Sequence, residues 1–84
     1  MANASYGGSI ENWFTDRVVA DGQSAVGSGV LYQDYRQWCA THGEYVESHR
    51  MLSLRLIALG YRKRHTAAGS MFIGIKLRTD PSAP

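Results

Sequence analysis

Four consecutive side chains, Arg62, Lys63, Arg64 and His65, are cationic or titratable, and Lys76 and Arg78 follow on the next patterned segment. Upstream, Arg50 and Arg55 stand beside His49 and Ser53 in a stretch of helical pattern. Between Ser48 and Thr79 every Lys and Arg named here occurs without a single acid. The first half reverses that balance, with Arg17 and Arg36 against Glu11, Asp16, Asp21, Asp34, Glu44 and Glu47. The whole chain carries only +2, so the charge is partitioned rather than large. Like charges held on neighbouring elements repel unless a polyanion relieves them, and a phosphate backbone is the natural partner. A solvated basic face without a partner is the plainer alternative.

Different members of this set suit different contacts. Arg62, Lys63, Arg64, His65, Lys76 and Arg78 would supply affinity and register through phosphate rather than read sequence. His65 would be one more phosphate contact there. Arg50 and Ser53, near the start of their helical stretch, are placed to meet base edges, where arginine can bond guanine O6 and N7 together. Contact of Arg50 with phosphate or solvent competes with that role. Arg55 points to the flank, as a backbone contact or a surface charge. Phe72, on the outward face of an alternating strand, would touch sugar or stack on a base, or else pack across the hairpin.

Other chemistries fit poorly. Cys39-x-x-His42 with His49 and His65 has the residue types of a zinc set, but Cys39 lies on an apolar stripe and the spacings match no compact zinc module. Asp34 and Glu44 sit apart from the basic surface, and Ser48-His49 adjacency is not a nucleophile–base geometry. No catalytic, cofactor or metal site is therefore expected, and the chain reads as a non-enzyme.

The elements that must carry these residues are few. At 84 residues the chain is one domain, able to bury only about 60% of its unfolded surface. Its 44% hydrophobic and 19% charged content is that of a globule, not a disordered tail. One cysteine leaves no internal disulfide, no apolar run approaches the roughly 18 residues of a membrane span, and no signal pattern opens the chain. A cytoplasmic location follows as the simplest expectation, with no membrane partner.

Residues 1–9 are small and glycine-rich and read as a flexible leader, 10–79 as the domain, and 80–84 as a loose tail. Ile10, Trp13, Phe14 and Val18 share a face at helical spacing, predicting a helix near 10–20 capped by Ser9. A loop follows over 23–29, with at most a very short strand at Ala25-Val26. Leu31, Tyr32, Tyr35, Trp38 and Cys39 define a second helix near 29–42, capped by Ser28 and stopped by Gly43; these side chains are core, with Trp38 central. A third helix near 48–59 is capped by Ser48 and closed by Gly60, with Leu52, Leu56 and Leu59 inward. Strands near 61–66 and 71–78 form a hairpin, with Met71, Ile73, Ile75 and Leu77 on its buried face.

Three helices followed by a β-hairpin is the order of an α+β winged helix-turn-helix, whose third helix enters the DNA major groove while the wing meets the backbone. The residues Leu31-Tyr32-x-x-Tyr35-x-x-Trp38-Cys39, Gly43, Ser48-x-Arg50, Leu56-x-x-x-Gly60-Tyr61 and Gly74-Ile75-x-Leu77 resemble the C-terminal winged-helix domain of phage, plasmid and poxvirus-type primase–helicases. The likeness runs from about Ile10 to Arg78 and is carried by core and turn residues. It implies DNA engagement beside a hexameric helicase/ATPase. That ATPase part is not in this sequence, since no G-x-x-x-x-G-K-[ST] loop occurs and Gly27-Ser28-Gly29 lacks the lysine. The chain would be an excised domain or a stand-alone relative.

The expectation is thus a DNA-binding domain of a mobile-element replication protein, with duplex or forked DNA favoured over single strands. Leu54 and Ile57, if exposed, would instead suit a protein–protein interaction module. A stand-alone transcription regulator is a third option and would need a dimer interface.

Overall fold

The computed structural model describes residues 8–78. The tail expected over 80–84, and the leader expected over 1–9 apart from Gly8 and Ser9, lie outside the described residues. In chain order the elements are α1 (Gly8–Arg17), β1 (Val18–Gly27), α2 (Ser28–His42), α3 (His49–Ala58), β2 (Arg62–Thr66) and β3 (Gly69–Leu77). The strands form one antiparallel sheet in the order β1-β3-β2. The architecture is a small α+β fold of three helices and three strands, one of which runs well beyond the very short strand expected at Ala25-Val26.

That strand is β1. Val18 falls on the apolar face of α1 at helical spacing, yet α1 stops at Arg17 and Val18 and Val19 pair with Leu77 and Lys76. Adjacent β-branched residues are better housed on a pleated surface than in a helix, once a partner strand supplies the hydrogen bonds. The strand is hard to see because it is interrupted. Ala20 pairs with Ile75 and Ala25 with Ile73, so Asp21 to Ser24 bulge out of the ladder. The Asp21 carboxylate closes the bulge, accepting from the Gln23 N–H at 3.0 Å and the Ser24 hydroxyl at 2.9 Å.

Facing this bulge, Gly74 takes φ +90°, a backbone that side-chain-bearing residues rarely adopt. It shifts the phase of β3. Phe72 and Ile75, three apart, are both fully buried, while Met71, Ile73 and Leu77 are only half-buried. The strict alternation expected for this strand is therefore broken, and Phe72 belongs to the core rather than to an outward face.

Ile10, Trp13, Val18, Leu31, Tyr35, Cys39, Leu52, Leu56, Phe72 and Ile75 make the core. On α2 the fully buried residues Leu31, Tyr35 and Cys39 advance by four, which leaves Trp38 at the edge of the stripe. Trp38 is half-buried, not central. Its indole N–H donates to Asp16 Oδ2 at 2.7 Å and its ring stacks on His42. The fully buried tryptophan is Trp13, edge-on to Tyr35 at 5.6 Å.

Two expected caps are displaced and one holds. Ser9 lies within α1, buried, and Ser28 is the first residue of α2 behind Gly27, with no side-chain cap there. Ser48 does cap α3, accepting from Met51 N at 3.1 Å. Gly60, at φ +102°, ends α3, with Gly60 N bonded to the Ile57 carbonyl and Tyr61 N to that of Leu56. Leu59, expected on the buried face, sits at this exit and is half exposed.

Candidate nucleic-acid interface

The turn between α2 and α3 is pinned from below, and this fixes where α3 begins. Ser9 donates to the Tyr45 carbonyl at 2.6 Å and shares a 2.7 Å hydrogen bond with the Tyr35 hydroxyl. Tyr35 in turn accepts from Glu47 N at 2.7 Å, and Tyr32 donates to the Glu47 carbonyl at 2.9 Å. Burial pushes the Tyr35 phenol above its usual range, so it serves here as a neutral hydroxyl. His49, the first residue of α3, stacks flat on Tyr32 at 4.8 Å.

Above this support, Arg50, Leu54 and Ile57 recur at helical spacing along one outward stripe of α3, with Ser53 at its inner edge. They form one wall of an open groove of about 480 Å³, with Lys63 of β2 and Ser70 of β3 opposite. A second hollow of about 530 Å³ adjoins it, lined by Ile57, Tyr61, Arg62, Lys63, Arg64 and Ile73. Sharing Ile57 and Lys63, the two make a continuous surface, and no carboxylate lines either. Arg50, Arg62, Lys63 and Arg64 are exposed and form no ion pair among the described residues. His65 lies further along the hairpin, its Nδ1 3.0 Å from the Ser70 hydroxyl. Ser53 lines the groove but is itself buried.

The remaining candidates are not brought here. Alignment of the two hairpin strands would bring Lys76 and Arg78 beside the cations of β2. The register instead pairs Arg62 to Thr66 with Ile73 back to Gly69, so Lys76 lies beyond the end of β2 and faces Val19. Its Nζ is 3.4 Å from Asp21 Oδ2. Arg78 donates through Nε to the Asp16 carbonyl at 3.0 Å and through its backbone N–H to that of Arg17 at 2.7 Å. Arg55 pairs with Glu11 of α1, which raises its pKa further. The Asp21 carboxyl is held below the usual range by the Gln23 N–H, with help from Ser24 and Lys76.

The histidines and the cysteine do not converge on one another: His49 lines the groove, His42 stacks on Trp38 and His65 lies further along the hairpin. Cys39 is fully buried, with its thiol 3.7 Å from the Tyr45 carbonyl and its pKa raised by burial. Among the described residues no group of three His, Cys, Asp or Glu is placed to hold a metal ion. No described helix is long and apolar enough to cross a membrane. Nothing in the sequence marks Ser28 or Ser70 as groove residues, Ser28 reading only as a helix cap. Ser70 becomes visible only through the two-residue turn Ala67-Ala68, which sets it opposite His65. No protein-family model and no curated protein matches the chain.

Proposed function

We propose that this chain is a DNA-binding winged-helix domain. In this reading α2 and α3 form the helix-turn-helix pair, the β2–β3 hairpin is the wing, and β1 completes the sheet behind it. The α3 stripe enters the major groove of a duplex, and Arg62, Lys63 and Arg64 follow the adjacent phosphates. The observation that carries this is the continuous, acid-free surface joining α3 to β2, with four cations that no described carboxylate neutralises. The resemblance to the C-terminal domain of mobile-element primase–helicases adds a role: holding duplex or forked DNA beside a helicase/ATPase domain of a parent protein. The domain itself would do no catalysis.

Titration with duplex, forked and single-stranded DNA at several salt concentrations tests the reading. Roughly four phosphate contacts would give a slope of log K against log salt near −3 to −4 on duplex. Absence of binding to every DNA at low salt rejects it. The half exposure of Leu54 and Ile57 favours a second reading, a protein-interaction module, in which those two side chains rather than the cations would dominate affinity.

A further inference from the structure

The outward stripe of α3 is not a solvated polar face. Leu54 and Ile57 remain 48% and 47% exposed, and they line the same groove as Arg50 and Lys63. Arg62 and Arg64 continue the cationic side in the adjoining hollow, where Ile57 reappears. Exposure of an aliphatic side chain does not alone mark this place, since Leu59, 51% exposed, shares its hollow with Glu11. What distinguishes Leu54 and Ile57 is that they share their groove with cations and with no acid.

The major groove of a duplex offers the complement of that layout. Phosphates run along both edges, and on its floor every A·T pair presents the thymine 5-methyl, the one apolar group among its base-edge hydrogen-bonding groups. A protein partner would have to bring both an apolar insert and its own acids. Resting on the DNA-binding reading, we infer that α3 reads sequence through Leu54 and Ile57, which pack against thymine methyl groups, while Arg50 and Lys63 hold the flanking backbone. Preferred sites therefore contain thymine at the positions under this pair, and the groove discriminates T from C by a methyl contact rather than by a hydrogen bond.

The test removes only the methyl groups. A preferred duplex is selected from a randomised pool with the full chain, then resynthesised with uracil in place of thymine, and both are titrated by fluorescence anisotropy. The inference predicts about fourfold weaker binding for each contacted methyl lost, about fifteenfold for two. In the Leu54→Ala/Ile57→Ala variant the two duplexes should bind alike. Equal binding of both duplexes by the unsubstituted chain, a selected site without thymine, or no selected site at all overturns the inference while leaving DNA binding intact. A thymine preference that survives in the double variant also overturns it, because DNA shape would then be what is read. No binding to any duplex removes the underlying reading as well. Self-association that the double variant abolishes, without loss of DNA affinity, assigns the patch to a second copy of the chain and overturns it too.

Discussion

Eight of the nine Lys and Arg residues fall into two sets that differ in company rather than in kind; Arg36, exposed on α2, belongs to neither. On the groove side, Arg50, Arg62, Lys63 and Arg64 project from α3 and β2 with no carboxylate partner among the described residues. On the α1–β1 side, each cation is engaged: Arg17 with Asp34, Arg55 with Glu11, Lys76 with Asp21, and Arg78 with the Asp16 carbonyl. A count of charges along the chain puts all of these but Arg17 in one basic half. The fold divides them, using the acids of the first half to neutralise part of the second and leaving the rest open to a polyanion. Exposed pairs of this kind contribute about 0–1 kcal/mol each, so the paired set is positional more than stabilising.

The sharpest contrast expected from mutation lies beneath both sets, in the two tryptophans. Trp13→Ala empties the centre of the core and should cost about 3–5 kcal/mol, enough to unfold so small a domain. Trp38→Ala loses one hydrogen bond and a half-buried ring, and should cost about 1–2 kcal/mol. Urea denaturation followed by circular dichroism measures both, and equal costs would mean the core is centred elsewhere.

Gly74→Ala comes next, at about 1–2 kcal/mol. The cost is conformational, because a methyl at Gly74 would meet no atom within 4 Å. It should fall on the β1–β3 pairing that orders the paired set and spare the groove. Hydrogen exchange then shows faster opening at Ala20 and Ile75 than at Arg62 and Lys63, and uniform opening would contradict the division.

The smallest effect concerns acid. The Asp21 carboxyl has its pKa lowered by folding, so its contribution is fully present above its unfolded pKa and is lost as pH falls through the depressed folded value. NMR titration of the Asp21 carboxyl carbon should show a midpoint below that of an exposed aspartate. Ser24→Ala should move the midpoint back up, and an ordinary midpoint in the unsubstituted chain would remove the bulge as the holder of Lys76.

What could be read from residues alone follows the range of the interactions. Ser48, Gly43 and Gly60 are legible as helix ends because capping is decided within a few residues. The outward side of α3 and the cations of β2 are legible for the same reason. Strand β1 is legible only at Ala25-Val26, since Val18 satisfies a helical period as well as a strand and only distant β3 decides between them. Phe72 is misplaced by a simple alternation because Gly74 shifts its phase through one backbone angle. Lys76 and Arg78 carry no local sign of their partners, which lie 55 to 62 positions earlier in the chain.

The division of the cations is tested most directly by the salt dependence of DNA affinity in two variants compared with the unsubstituted chain. Arg62→Ala/Lys63→Ala/Arg64→Ala should bind every duplex more weakly and shrink the slope of log K against log salt by about 2–3 units. Lys76→Ala/Arg78→Ala should leave slope and affinity unchanged. A loss of slope in the second variant equal to that in the first, or an unaltered slope in the first, would contradict the account.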